Sequence, residues 1–225
     1  MPGRFILVNC IAHRGFAGTN PENTVAAVEA AVATGVDGVE VDVRRCGSGD
    51  LVVHHDETVD RTTDGSGSVA DFSASELAGL SVEGTDAGVP TFEDVVAAIP
   101  DGVVLHAELK ERGLASEVES LVGEAACETV ISSFDAAVVS AVESVPTALL
   151  VSEGTGAVER ATEVGCAMVH PPVDACDASL VDRAHDAGLA VNAWTVTESA
   201  ETGRLREAGA DGVITDFPQC CPGSV

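Results

Sequence analysis

Apolar, β-branched runs alternate with Ala/Glu-rich stretches along almost the whole chain, and few folds accommodate that rhythm. The runs occupy residues 5–11, 36–43, 103–109, 129–132, 147–151, 166–169, 189–194 and 212–214. Between them, helical patterns cover 22–33, 91–99, 114–126, 135–143, 156–163, 179–187 and 198–207. Strands separated by helices pair in parallel through right-handed crossovers. Gly35, Gly165, Gly188 and Gly209 stand where helices give way to strands, as left-handed C-caps require. Eight such units in 225 residues fit a closed (β/α)8 barrel better than an open doubly wound sheet. No Gly-x-Gly-x-x-Gly follows the first run, which weakens a dinucleotide-binding alternative. Residues 44–89 break the rhythm with a short strand at 51–54 and a polar stretch at 58–68. Insertions after a barrel strand lie on the catalytic face, so this segment reads as a small active-site excursion.

Composition narrows the partners. Apolar residues are 45% of the chain but aromatic ones only 3%, so the predicted core is built from small and β-branched side chains. Asp and Glu number 37 against 11 Lys and Arg, a formal charge of −26. Such a surface repels nucleic acid and anionic membranes, and it suits a high-salt cytoplasm where screening tolerates dense acid. No run approaches the length of a membrane span, and the N-terminus does not read as a signal peptide. The expected setting is cytoplasmic. The seven cysteines are odd in number and lack a Cys-x-x-Cys pair, so reduced, buried thiols are expected rather than a disulfide framework or a zinc site.

Chemistry concentrates at the ends of the predicted strands. In Val39-Glu40-Val41-Asp42-Val43 the two acids share one face. Two inward carboxylates repel each other and lose hydration, and a divalent cation answers both problems. Hard oxygen donors suit Mg²⁺ or Ca²⁺, with Mn²⁺ as an alternative. In Leu105-His106-Ala107-Glu108-Leu109-Lys110, Glu108 would complete a three-carboxylate set, and Lys110, the sole lysine, would sit at the mouth beside a phosphate oxygen. His13 ends the first strand, and Arg14 offers a planar fork for phosphate. Asn20 is the expected N-cap of the first helix, with Pro21 at its first position. In Val53-His54-His55-Asp56, Asp56 can fix the tautomer of an imidazole, while His54 reads as packing or solvent-exposed. Two histidines flanking phosphorus suit phosphodiester cleavage, one taking a proton and the other giving one. Trp194 and Phe134 stand where they can wall a pocket or fill the core. Asp216 either supports the site or caps a turn.

With these residues assembled, the chain closely resembles the glycerophosphodiester phosphodiesterase family, in order and over nearly its whole length. The matching segments are His13-Arg14-Gly15, Pro21-Glu22-Asn23-Thr24, 35–43, 52–56, Arg61-Thr62-Thr63-Asp64-Gly65, Pro90-Thr91-Phe92-Glu93, Glu108-Leu109-Lys110, Ser133-Phe134, Trp194-Thr195-Val196 and 211–218. The resemblance implies a TIM barrel with a small insertion after the second strand, read as one domain over 1–225 with 44–89 inserted. It implies metal ligands at Glu40, Asp42 and Glu108, an acid/base pair at His13 and His55, and phosphate contacts at Arg14 and Lys110. Glu22 matches a family glutamate near the metal. The turn Cys46-Gly47-Ser48-Gly49-Asp50 departs from the family pattern. So does His106, expected to join the surroundings of the metal. The implied reaction is hydrolysis of a glycerophosphodiester to glycerol phosphate and an alcohol, with a small molecule as the partner. Two alternatives stand beside it: a related barrel phosphodiesterase acting on sphingolipid or inositol head groups, and a catalytically silent barrel that binds phosphodiesters.

Overall fold

The β-branched runs do become strands. In the computed structural model, which describes residues 8–223, they are β1 (Asn9–His13), β2 (Gly38–Arg45), β3 (Leu51–Val53), β4 (Val104–Leu109), β5 (Thr129–Ser133), β6 (Thr147–Leu150), β7 (Met168–His170), β8 (Ala190–Val196) and β9 (Gly212–Thr215). The first run was expected to begin at Phe5, and residues 5–7 lie outside the described residues. The sheet runs β1-β9-β8-β7-β6-β5-β4-β2, and β1 also pairs with β2, which closes the barrel. Every barrel pairing is parallel; only β3 is antiparallel, added to the far end of β2 at Val43–Val53 and Arg45–Leu51. The chain is a (β/α)8 barrel.

Seven helices wrap the barrel between strands: α1 (Val25–Ala33), α3 (Phe92–Ala98), α4 (Ala115–Val122), α5 (Ala136–Val139), α6 (Ala157–Val164), α7 (Ala178–Asp186) and α8 (Ser199–Ala208). The short α2 (Ala74–Ala78) lies between β3 and α3. The core sits between barrel and helices. Val39, Val41, Leu105, Ala107 and Leu109 point outward from the barrel and are wholly buried there, in one cluster with Val28 and Phe92. Each fully buried valine or leucine contributes about 1.5–3 kcal/mol. Strand alternation sends the other residues of β2 and β4 inward, so Glu40, Asp42 and Glu108 face the barrel axis. Register sets His13 beside Glu40, and Asp42 beside Glu108.

Two expectations are corrected. The first helix starts later than its Asn-Pro-Glu opening suggests. Thr24, not Asn20, is the N-cap, its hydroxyl accepting from the Ala27 amide at 3.1 Å. Asn23 at φ +59° keeps the preceding residues out of the helix, and Asn20 instead donates to the Gly15 carbonyl at 2.8 Å. The cysteines are also not all thiols. Cys10 in β1 is bonded to Cys221, with Cα atoms 5.2 Å apart, while the other five are free and buried. Barrel closure explains the pairing. β9 lies against β1, so the chain leaving β9 returns over β1, a proximity that spacing along the sequence does not encode.

The segment from Cys46 to Val89 packs its own small cluster, with Cys46, Val52, Val59, Val69, Leu77, Val82 and Val89 buried together. Helix α2 was not expected, yet its signal is local. Ser73 and Glu76 form a capping box at its start. Among the described residues, no helix is long and apolar enough to cross a membrane.

Candidate active site

Strands β2 and β4 bring three carboxylates together. Glu40, Asp42 and Glu108 each place an oxygen within 4.8 Å of the others, and all three are buried. Burial, reinforced by Asp42 and Glu108, pushes the Glu40 carboxyl up to about 8. Glu108 is raised by the same causes, burial first and then Asp42. Asp42 is also opposed by burial, but Lys110 and Arg14 outweigh it and hold its carboxyl below the usual range. Lys110 Nζ lies 2.5 Å from Glu108 Oε1 and 3.1 Å from Asp42 Oδ1. Arg14 Nε lies 3.1 Å from Asp42 Oδ2. Neither contact gives Asp42 Oδ1 or Arg14 Nε a well-directed hydrogen bond. Crowded acids, one of them favouring its protonated form, with an incompletely bonded oxygen among them, are a donor set suited to a hard divalent cation.

A strained loop fixes this cluster from the β1 side. Arg14, Phe16 and Asn23 all have positive φ, at 51°, 67° and 59°. Such backbones persist only when the surroundings hold them. Here Phe16 is wholly buried, and Asn23 Nδ2 donates to Asp42 Oδ2 at 2.8 Å. Gly15 lies so close to α1 that an added Cβ would stand 2.7 Å from Ala27. The loop therefore aims the Arg14 amide at Glu40 Oε2, 3.1 Å away.

Both expected imidazoles reach the same cavity of about 80 Å³, which Arg14, Glu40, Glu108 and Lys110 also line. Each is oriented through Nδ1 by a carboxylate. His13 Nδ1 donates to Asp216 Oδ1 at 2.6 Å, leaving Nε2 toward Glu40, 3.9 Å away. Burial alone would lower the His13 pKa, but Asp216 and Glu40 outweigh it and raise the value. His55 Nδ1 donates to Asp56 Oδ1 at 2.6 Å. Burial dominates at His55 and lowers its pKa. His54 is packed away, with Nε2 bonded to the Thr58 carbonyl at 3.0 Å. Trp194 and Phe134 form the apolar wall of the cavity, edge to face with centroids 5.5 Å apart. The Trp194 indole is anchored by donating to the His170 carbonyl at 2.9 Å.

The model of the glycerophosphoryl diester phosphodiesterase family matches residues 13–220. The chain belongs to that family. A glycerophosphodiester phosphodiesterase of Caldanaerobacter subterraneus subsp. tengcongensis is 34% identical, over 93% of this chain and 94% of that one. Among solved structures, an Oleispira antarctica phosphodiesterase in complex with the product sn-glycerol-3-phosphate superposes with a TM-score of 0.86 at 29% identity, covering 95% of this chain and 94% of that one. The glycerophosphodiester phosphodiesterase of Thermotoga maritima gives a TM-score of 0.81 at 28% identity, over 93% and 94% of the two chains.

Several contacts in this phosphodiesterase family member were not read from its sequence. Arg61 bridges Glu22 and Asp56, and Asn23 steadies Asp42; of the two roles open for Asp216, the structure gives it support of the site, holding His13. Glu22 itself binds Arg14 Nη1 at 3.0 Å, a salt bridge to the expected phosphate contact. The short motif Arg61-Thr62-Thr63 was the available signal for Arg61, but a motif does not say which acids an arginine meets. His106 makes no hydrogen bond to the three carboxylates among the described residues, and its Nδ1 is buried without a partner. It lines a larger cavity of about 720 Å³ at the opposite end of the barrel, with Asn9, Met168 and Asn192. That cavity is bigger, but Arg14, Lys110 and the two carboxylate-oriented imidazoles line the mouth.

Proposed function

We propose that this chain hydrolyses glycerophosphodiesters to glycerol phosphate and an alcohol, with the mouth cluster as its catalytic centre and residues 44–89 as the inserted segment that delivers His55. The observation that carries the proposal is the convergence of two carboxylate-oriented imidazoles and two cationic side chains on one cavity that Glu40 and Glu108 also line, with buried Asp42 beside them. Glu40, Asp42 and Glu108 would hold a divalent cation, Mg²⁺ or Ca²⁺ by donor chemistry, with Mn²⁺ able to substitute. Such an ion, when bound, neutralises a non-bridging phosphate oxygen and lowers the cost of charge build-up on phosphorus. Arg14 and Lys110 bind the remaining phosphate oxygens. One imidazole, through Nε2, takes the proton of the attacking hydroxyl. The other gives a proton to the departing alcohol oxygen. The attacking group is water, or the substrate's own glycerol 2-hydroxyl by way of a cyclic phosphate. Phe134 and Trp194 pack against the carbon skeleton of the substrate.

The test is turnover of glycerophosphocholine and of bis(p-nitrophenyl) phosphate. Glycerol phosphate should appear, EDTA should abolish the activity, and Mg²⁺, Ca²⁺ or Mn²⁺ should restore it. Phosphodiester binding without product under any of these ions would instead identify a silent binder. The acidic surface supports a high-salt setting, so thermal stability should rise as KCl is raised toward molar concentration.

A further inference from the structure

Arg61 reaches the mouth from outside it. Its guanidinium binds Glu22 through Nη2 at 2.7 Å and Nη1 at 3.0 Å, and its Nε donates to Asp56 Oδ2 at 2.5 Å. Asp56 in turn uses its other oxygen, Oδ1, on His55 Nδ1 at 2.6 Å. Glu22 belongs to the loop after β1, whereas Asp56 and His55 follow β3, so one planar fork ties two separate segments together. Among the described residues the Asp56 carboxylate is held by Arg61 and His55 alone, so without Arg61 it keeps only the imidazole that it is meant to orient. Arg61 is about half exposed, at 48% of its side chain, and exposed ion pairs add little stability. The geometry, rather than stability, is what this fork supplies.

We propose that Arg61 is a positioning residue: anchored on Glu22, it fixes the Asp56 carboxylate and thereby the orientation of the His55 imidazole. This rests on the reading of His55 as an acid/base group. A displaced imidazole costs rate because proton transfer requires close alignment, and a misplacement of about 1 Å costs roughly 10²-fold. Lysine keeps the charge but not the bidentate plane.

The test compares the parent enzyme with Arg61→Lys, Arg61→Ala, His55→Ala and the Arg61→Ala/His55→Ala double variant, on glycerophosphocholine with saturating Mg²⁺ or Ca²⁺, alongside thermal melts. Both Arg61 variants should melt near the parent and lose roughly 10- to 100-fold in kcat with little change in KM. In the His55→Ala background the Arg61→Ala loss should nearly vanish, since no imidazole remains to be positioned. An undiminished loss in that background, or parent-like kcat in Arg61→Lys, overturns the proposal. Parent-like turnover in His55→Ala overturns the acid/base reading instead. Imidazole ¹H–¹⁵N spectra decide the positioning claim independently of turnover. Arg61→Lys should shift the His55 ring signals and leave those of His13 in place; unchanged His55 signals overturn it.

Discussion

The two ends of the barrel interior bury polar groups under different rules. At the mouth, Glu40, Asp42 and Glu108 crowd within 4.8 Å, and Arg14 and Lys110 lean into them. Toward the floor, His106 and His170 face each other with ring centroids 6.0 Å apart, and Asn192 Nδ2 donates to His170 Nε2 at 3.2 Å. Burial pushes the His106 pKa down to about 4 and that of His170, with help from His106, to about 3. Both imidazoles are therefore neutral, and glycine makes room for the floor groups. A Cβ on Gly212 would stand 2.4 Å from Asn192 Oδ1, and one on Gly38 would stand 3.1 Å from His106 Cδ2. At the floor the two buried imidazoles lower their electrostatic cost by staying neutral. The mouth instead sets cations against its acids, and Lys110 and Arg14 keep Asp42 ionised there. Only the second arrangement leaves a field able to act on a phosphate.

The largest expected effect breaks the comparison at its functional point. On the proposed mechanism, His13→Ala and His55→Ala should each lose roughly 10²–10⁴-fold in rate while the fold survives, because each would remove a general acid–base group. His106→Leu, at the floor, should retain most of the turnover, and its thermal melt should not fall, since the imidazole leaves a buried nitrogen without a partner. A floor variant as inactive as the mouth variants would erase the distinction. Steady-state kinetics with melts on all three decide it.

The next effect is a pH response of opposite sign at the two ends. Glu40 is pushed up from 4.5 to about 8, so the folded, cation-free protein holds a proton that the unfolded chain has released, and stability falls as pH rises through that window. A divalent cation held by the three acids, as proposed, would replace that proton, so Mg²⁺ or Ca²⁺ should raise Tm more at pH 8 than at about pH 5.5. His170 runs the other way. Its folded pKa lies near 3 against 6.5 unfolded, so its contribution is lost as pH falls from 6.5 toward 3. His170→Asn should flatten the acid limb of a Tm–pH curve without altering the cation effect, and a parallel curve would contradict the floor assignment.

A smaller change sharpens the mouth alone. Asp216→Asn keeps the size of the group at His13 but weakens its hold on Nδ1, and about 10-fold or more in kcat should be lost. The smallest effect belongs to the rim. The Arg112–Asp135 pair is exposed, so Arg112→Ala should leave both Tm and kcat near the parent values.

Much of the mouth was legible in the sequence because strand alternation is local. Once β2 and β4 are recognised, Glu40, Asp42, Glu108 and Lys110 must share a side, and His13 must stand at a strand's end. The same logic explains why Glu22 and His55 were found by motif but not by periodicity: both lie in connections, where no repeat fixes direction. Asn20 failed as a helix cap because a positive-φ Asn23 stands between it and the helix, a backbone state that the residue order allows but does not dictate. The floor cluster was invisible for a related reason. His106, His170 and Asn192 sit on three different strands, and nothing in any one strand announces the other two.

The sequence by itself determined which side chains face inward, since an i, i+2 repeat carries that information in a handful of residues. Only the tertiary structure decided who meets whom across the closure. Asp216 reaches His13 over 203 positions, Arg61 reaches Glu22 over 39, and Cys221 reaches Cys10 over 211. Those meetings depend on the curvature that seats β9 against β1 and on the path of the chain between β2 and α3. Both are properties of the packed whole, set by many small burial energies at once rather than by any local pattern.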